Sequence, residues 1–240
     1  NLGRIAGYIL KKYRPNFLTL HLPIVDGAQH AQGRDGDKVK IAVGNADSVI
    51  GILLDVIRQN GLEDSTDIIV TGDHGFVTRK YNISPNVWLK NAKLLDKAFF
   101  FSTGGSAFLY LKKDNDKDTL NKINKLLKDL PIEQKKLFKI ISGKNLIDAQ
   151  VDPKALLAIS ANDGYAFIND DEGQIIRESP GGSHGYYPDF HNIYTGFIGF
   201  GPSFQKGSKT DNLKLTDFFD LAQYILNKNK FKNRWDNIVK

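Results

Sequence analysis

Between Val39 and Ile57 the apolar residues fall at Val39, Ala42, Val43, Ala46, Val49, Ile50, Leu53, Leu54 and Ile57. That spacing follows a period of about 3.6 and predicts a helix with one buried stripe. Asp37 stands where an N-cap belongs, and Gly61 follows the last turn as a stop. Short continuous apolar runs flank this helix at Phe17–Leu20 and at Asp67–Val70, and both read as buried strands. A strand, a long helix and a second strand make a βαβ unit, which implies a parallel sheet covered by helices. The intervening stretch from Leu22 to Asp37, rich in Gly and Asp, reads as a loop.

The pattern changes after Thr78. Ala98–Phe101 and Ala107–Leu111 are strand-like, and Ser102-Thr103-Gly104-Gly105-Ser106 forms the turn between them. Leu120, Ile123, Leu127 and Leu130 line one face of a helix that stops at Pro131. Ala155–Ser160 and Tyr165–Ile168 read as another strand pair joined by a turn at Asn162-Asp163-Gly164. Ile193–Phe200 resumes a buried strand, and Leu215–Asn227 is a closing amphipathic helix with Thr216 at its N-cap. The expected organisation is an α/β core whose first part is 1–77 and last part 181–240, with an α+β subdomain, 78–180, inserted between them.

At 240 residues the chain suits one large domain, or one with a sizeable insertion. Hydrophobic residues at 41% and charged residues at 25% exclude a collagen-like or disordered chain. No uninterrupted apolar run approaches the ~18 residues of a membrane span. With no Cys, disulfide scaffolds, thiolate zinc sites and cysteine nucleophiles are excluded. With no Met, Asn1 is not an initiator residue, and the expectation is a processed chain or an internal piece of a longer one. The net charge of +6 comes largely from Lys residues in two helical stretches, around Lys112–Lys139 and Lys206–Lys240. Acidic residues are interleaved there, so these read as solvated faces and not as a surface for specific nucleic-acid binding.

The chemistry concentrates around three of the five His. Asp26-Gly27-Ala28-Gln29-His30 follows the first strand, with Gly33 after it. Thr71-Gly72-Asp73-His74-Gly75 follows the second. Gly181-Gly182-Ser183-His184-Gly185 precedes the Ile193–Phe200 strand. Two successive parallel strands ending in Asp/His loops place those loops at the carboxyl edge of the sheet, where open α/β folds hold their sites. Carboxylate and imidazole are good zinc ligands, with manganese or iron as alternatives. Asp26, His30, Asp73, His74 and His184 are too many for one tetrahedral zinc and suit two ions about 4 Å apart. His21 and His191 have no carboxylate at ligand spacing and read as structural. Gly104-Gly105-Ser106 lacks the following Lys-Ser/Thr of a phosphate cradle and reads as a strand-to-strand turn.

The order of these motifs resembles the alkaline phosphatase superfamily, in particular its type I phosphodiesterase/nucleotide pyrophosphatase branch. The matching residues are Pro23, Asp26, His30 and Gly33; Ala46–Gly51; Thr71-Gly72-Asp73-His74-Gly75-Phe76; Gly105-Ser106-Ala107; Gly182-Ser183-His184-Gly185-Tyr186; and Phe197–Phe204. The resemblance covers nearly the whole chain. It implies an alkaline-phosphatase-like α/β/α sandwich and a hydrolase of phosphoric esters that uses two Zn2+, or Mn2+ or another divalent metal. One ion takes Asp26, His30 and His184. The other takes Asp73 and His74, with an Asp and a Thr or Ser nucleophile from upstream of this chain. The implied substrate is a small phosphate ester or nucleotide, and the implied location is secreted or periplasmic. The sequence departs from the branch in having Gln29 before His30, Arg34 after Gly33, and Tyr187-Pro188-Asp189 after the His-Gly-Tyr motif. Those departures bear on substrate class, and a phosphomonoesterase of the same superfamily is the nearest alternative. A sulfatase and a cofactor-independent phosphoglycerate mutase fit the motif set less well. A non-catalytic metal-binding relative is the alternative from another class.

Overall fold

The computed structural model describes residues 1–211, 213–227, 235 and 237–239. In chain order the elements begin with helices α1 (Leu2–Tyr13), α2 (Ile24–Gln32) and α3 (Asp37–Gln59), followed by strands β1 (Ile68–Thr71) and β2 (Val77–Ile83). Next come α4 (Pro85–Asn91), β3 (Ala98–Ser102), β4 (Ser106–Leu111), α5 (Lys117–Asp129) and α6 (Ile132–Lys135). The chain continues through β5 (Phe138–Ile141), α7 (Lys144–Asp148), β6 (Leu157–Ala161), β7 (Tyr165–Phe167) and β8 (Ile176–Ser183). It closes with β9 (Phe197–Phe200) and α8 (Asp217–Asn227). Contacts divide it into two compact units: Asn1–Val25, Ile41–Asp73 and the residues from Thr195 onward form one, and Asp26–Lys40 with His74–Tyr194 form the other.

In the first unit, α1 lies on α3 through small residues. A Cβ at Gly3 would come within 3.0 Å of Val49 Cγ1, and one at Gly7 within 3.0 Å of Val56 Cγ2. α3 forms where its apolar stripe predicts it. It ends as Gly61 takes φ 61° and the Leu62 N–H donates to the Ile57 carbonyl at 3.0 Å, closing the last turn. β1 pairs antiparallel with β9, Ile68 opposite Phe200 and Thr71 opposite Phe197. Phe204, Leu221 and Tyr224 pack with Ile69 and Phe197 to form this unit's core. Thr216 precedes α8, and the Lys214 N–H donates to the Asp217 carboxylate at 2.9 Å. The part of the basic Lys206–Lys240 tract at 228–234 lies outside the described residues.

Two expectations change here. Phe17–Leu20 is not a strand: Phe17 is 61% exposed and Leu18 38%, and the segment is irregular. The expected parallel βαβ pairing is replaced by the antiparallel β1–β9 ladder. An apolar run supplies the propensity for a strand, but the ladder requires a partner, and the partner is set by distant sequence.

The second unit contains two sheets. One has strand order β7-β2-β8, with β7 parallel and β8 antiparallel to β2. The other has order β3-β4-β6-β5 and is antiparallel throughout. Ile83, Leu89, Phe100, Leu109, Ile159 and Phe167 are fully buried in its core. α5 lays Ile123 and Leu127 into that core, and its N-cap Asp116 accepts from the Thr119 N–H at 3.0 Å. The two strands expected on either side of Ser102–Ser106 form the antiparallel β3–β4 hairpin, Ala98 opposite Leu111 and Ser102 opposite Ala107. The turn at Asn162–Gly164 is also present, with Gly164 at φ 83°. The strands it joins do not pair with each other, however. β6 joins β4 and β5, whereas β7 joins β2, so the chain changes sheet at this turn.

The outer edge of β3 is closed by side chains. Asn86, 5% exposed, accepts from the Phe100 N–H at 2.7 Å and donates to the Phe100 carbonyl at 2.9 Å. The Ser102 N–H donates to Asn169 Oδ1 at 2.7 Å. An unpaired strand edge is thereby satisfied without another strand. Asn86→Ala leaves a backbone donor and an acceptor without their partner in a buried setting. Orphaning such groups costs about 1–3 kcal/mol each, so urea unfolding should show a loss of at least about 2 kcal/mol. A loss under about 0.5 kcal/mol would show that water replaces the amide at this edge.

Candidate metal centre

Asp26 and His30 lie on α2, where the sequence reading placed a loop. Ile24, Val25, Ala28 and Ala31 give this stretch enough helical continuity that Gly27 does not break it. A helix sets residues four apart on the same face, and His30 Nε2 stands 3.5 Å from Asp26 Oδ1. His184 immediately follows β8. The ladder sets Ser183 opposite Val77, so His184 emerges beside Phe76.

Glycines let the end of α2 settle onto β2 and β8. A Cβ at Gly181 would fall 2.7 Å from the His30 carbonyl, and one at Gly182 would collide with the Gln29 carbonyl. At Gly33, φ is 90° and a Cβ would meet the Thr78 side chain at 2.9 Å. Thr78 Oγ1 also accepts from the Arg34 N–H at 3.1 Å, and Gln29 Nε2 donates to the Arg34 carbonyl at 3.0 Å. The glycines before His184 thus have a specific cause: backbone must meet backbone for the two histidines to converge.

They do converge. His184 Nε2 is 3.9 Å from the same Asp26 Oδ1, and one ligand atom from each of Asp26, His30 and His184 lies within 4.8 Å of the others. Ligand atoms held about 2.0–2.2 Å from a tetrahedral zinc stand roughly 3.4 Å apart, close to what these side chains already show. One carboxylate oxygen and two imidazole nitrogens form a donor set suited to zinc. The side chains remain open to solvent, 42% for Asp26, 47% for His30 and 31% for His184, so a further position on an ion here faces the outside.

His74 joins this cluster through its ring. It stacks on His184 with centroids 3.8 Å apart and planes 10° from parallel, and its Nδ1 lies 3.2 Å from the Gly75 carbonyl. In the tautomer whose Nδ1–H donates to that carbonyl, Nε2 carries the lone pair and can act as a ligand atom. Phe76, 2% exposed, sits against all three rings: 4.9 Å from His30, 5.1 Å from His184 and 5.5 Å from His74 between centroids. Phe76 appears in the sequence only as a residue following Asp-His-Gly, and its role as the wall behind the histidines emerges from the packing. Asp73 belongs to the first unit, where it follows β1 by way of Gly72. His21 is exposed. His191 packs edge-on against Tyr194 at 4.8 Å.

A model of type I phosphodiesterase / nucleotide pyrophosphatase matches residues 4–187. The venom phosphodiesterase of Macrovipera lebetinus is 25% identical over 225 residues, which are 90% of this chain and 25% of that protein. Ectonucleotide pyrophosphatase/phosphodiesterase family member 7 of Mus musculus is 25% identical over 218 residues, 88% of this chain and 47% of that protein. The chain therefore spans between a quarter and about half the length of these curated relatives. Among solved structures, murine ectonucleotide pyrophosphatase / phosphodiesterase 5 superposes with a TM-score of 0.75 at 17% identity, covering 99% of this chain and 64% of that one. A second structure of the murine protein, an inactive threonine-to-alanine variant in complex with AMP, matches at the same TM-score of 0.75 with 16% identity, over 100% of this chain and 64% of that chain. The expected alkaline-phosphatase-like α/β fold is the one these neighbours share. On the match across residues 4–187, the chain belongs to the type I phosphodiesterase / nucleotide pyrophosphatase family.

Proposed function

We propose that the protein is a zinc-dependent hydrolase of phosphodiester or pyrophosphate bonds in small phosphate esters and nucleotides. The observation that carries this reading is the convergence of Asp26, His30 and His184 at ligand distance. These three hold one ion, and Asp73 and His74 contribute to a second. The ions, when bound, lower the pKa of the attacking hydroxyl and neutralise charge on the phosphoryl oxygens. The chain's own residues hold the donors still. α2 fixes Asp26 and His30 one turn apart, the His74 ring restricts rotation of His184, and Phe76 closes the inner side against water. The nucleophile is a Thr or Ser upstream of Asn1. The inactive threonine-to-alanine form of the murine neighbour supports a threonine, and its AMP supports a nucleotide substrate. The segment 78–180 forms a subdomain inserted into the α/β core and carries β2–β7. Relatives named as venom enzymes and ectoenzymes support action outside the cytoplasm.

Metal analysis of the full-length protein should find about two zinc equivalents, the number a two-metal site requires. A thymidine 5′-phosphodiester should be cleaved faster than p-nitrophenyl phosphate. Less than one equivalent after zinc reconstitution rejects the metal assignment, and the reverse substrate order indicates a phosphomonoesterase.

A further inference from the structure

We propose that the hairpin tip Ser102–Ser106 positions His184, with Gly105 as the central positioning residue, and so sets the metal affinity of the three-ligand group. The proposal rests on the metal reading above. The Gly105 N–H donates to the His184 carbonyl at 2.6 Å. A Cβ at Gly104, where φ is 92°, would lie 2.6 Å from Ser183 Oγ and 2.7 Å from the His184 carbonyl oxygen. A Cβ at Gly105 would enter the ring of Tyr186, and one at Gly185, at φ 78°, would collide with the Thr103 carbonyl. Residues 183–186 are therefore pressed along 103–105 with no room for a side chain at either surface.

The tip is itself rigid. The Phe167 N–H donates to the Gly104 carbonyl at 2.6 Å, and the Ala161 N–H to the Gly105 carbonyl at 2.8 Å. Ser102 Oγ accepts from the Gly104 N–H at 3.0 Å and donates to the Phe167 carbonyl at 2.8 Å. With the Thr103 N–H donating to the Ser106 carbonyl at 2.8 Å, the N–H groups of 103–105 are occupied. This rules out a phosphate cradle here and leaves support of His184 as the role of the Gly-Gly pair. Beyond His184, the Tyr186 hydroxyl donates to the Tyr165 carbonyl at 2.6 Å, and the Tyr187 N–H donates to Ser160 Oγ at 3.1 Å. Asp26 and His30 are fixed by their shared helix, whereas His184 lies on irregular backbone. The hairpin supplies what a helix would: a fixed direction for the ring. Outer contacts that orient a ligand commonly contribute 10–100-fold in metal affinity.

The test uses the full-length protein, with zinc dissociation constants and the visible absorption of the Co2+-substituted site as readouts. Gly105→Ala should weaken zinc at this position about tenfold or more and alter the Co2+ spectrum. Ser102→Ala removes the hydroxyl that accepts from the Gly104 N–H and donates to the Phe167 carbonyl, introduces no strained backbone, and should give a smaller change in the same direction. Ile123→Val, in the core away from the site, controls for stability: it should lower the unfolding midpoint without moving either metal readout. If Gly105→Ala does not fold, Ser102→Ala decides. Wild-type zinc affinity and an unchanged Co2+ spectrum in the folded variants overturn the positioning role while leaving the metal site intact. A Co2+ spectrum that His184→Ala leaves unchanged removes the metal reading and this proposal together.

Discussion

His184→Ala in the full-length protein should remove the zinc-linked stabilisation that comes from the Asp26–His30–His184 group and lower phosphodiesterase activity by about a thousandfold or more, a barrier increase of roughly 4 kcal/mol. His184 Nε2 shares Asp26 Oδ1 with His30, so its removal leaves one carboxylate and one imidazole, too few to hold zinc in competition with water. A ligand that binds only the folded state stabilises it by about 2.7 kcal/mol at a hundredfold excess over its dissociation constant. Wild type should therefore melt higher with zinc than with chelator, and His184→Ala should show a clearly smaller rise, the part contributed by the second ion. In chelator the two proteins should lie within about 2 kcal/mol of each other, because the ring is 31% exposed, even though it meets His74, His30 and Phe76. A large drop in the metal-free state would assign His184 to packing. A zinc-dependent rise in melting as large as that of wild type would place the first ion elsewhere.

The parts of this architecture legible in sequence are those whose burial is local. α3 and α5 each show an apolar stripe and a stop signal within one segment, and the β3–β4 hairpin is set by its own turn. The three residues that converge, Asp26, His30 and His184, could be singled out because Gly-flanked His motifs beside apolar runs are uncommon. Their arrangement was not fully legible. The Asp26–His30 segment is helical; Gly27 does not break the helix, Gly33 lets the chain pass the Thr78 side chain after it, and the close approach to α2 is made by Gly181 and Gly182. Phe17–Leu20 has strand propensity without a ladder, and β6 and β7 share a turn but not a sheet. α1 carries an amphipathic pattern within its own segment, but the value of Gly3 and Gly7 appears only where they meet Val49 and Val56. In each case the missing information is the identity of a distant partner.

Phe76→Ala should cost about 3–5 kcal/mol of stability in the metal-free protein, the range for removing a buried aromatic ring. The ring is 2% exposed and fills the space behind His30, His74 and His184. Its Cδ1 lies where a Cβ on Gly182 would approach to 3.0 Å, so β8 closes one side of it and cannot move in far to fill the void. Loss of the ring also frees rotation of the three imidazoles whose orientation it limits. Zinc affinity should fall by about tenfold or more in the variant that remains folded, as for other contacts that orient ligands. Phe76→Leu retains an apolar wall and should recover most of both quantities, because swaps that conserve more of the volume are better tolerated. Urea unfolding in chelator measures the first effect, and a zinc isotherm at low temperature, where the variant is folded, measures the second. An unchanged midpoint would show that Phe76 is not enclosed. Lost stability with wild-type zinc affinity would make it a core residue alone, and the orientation of the histidines would then rest on their backbone supports.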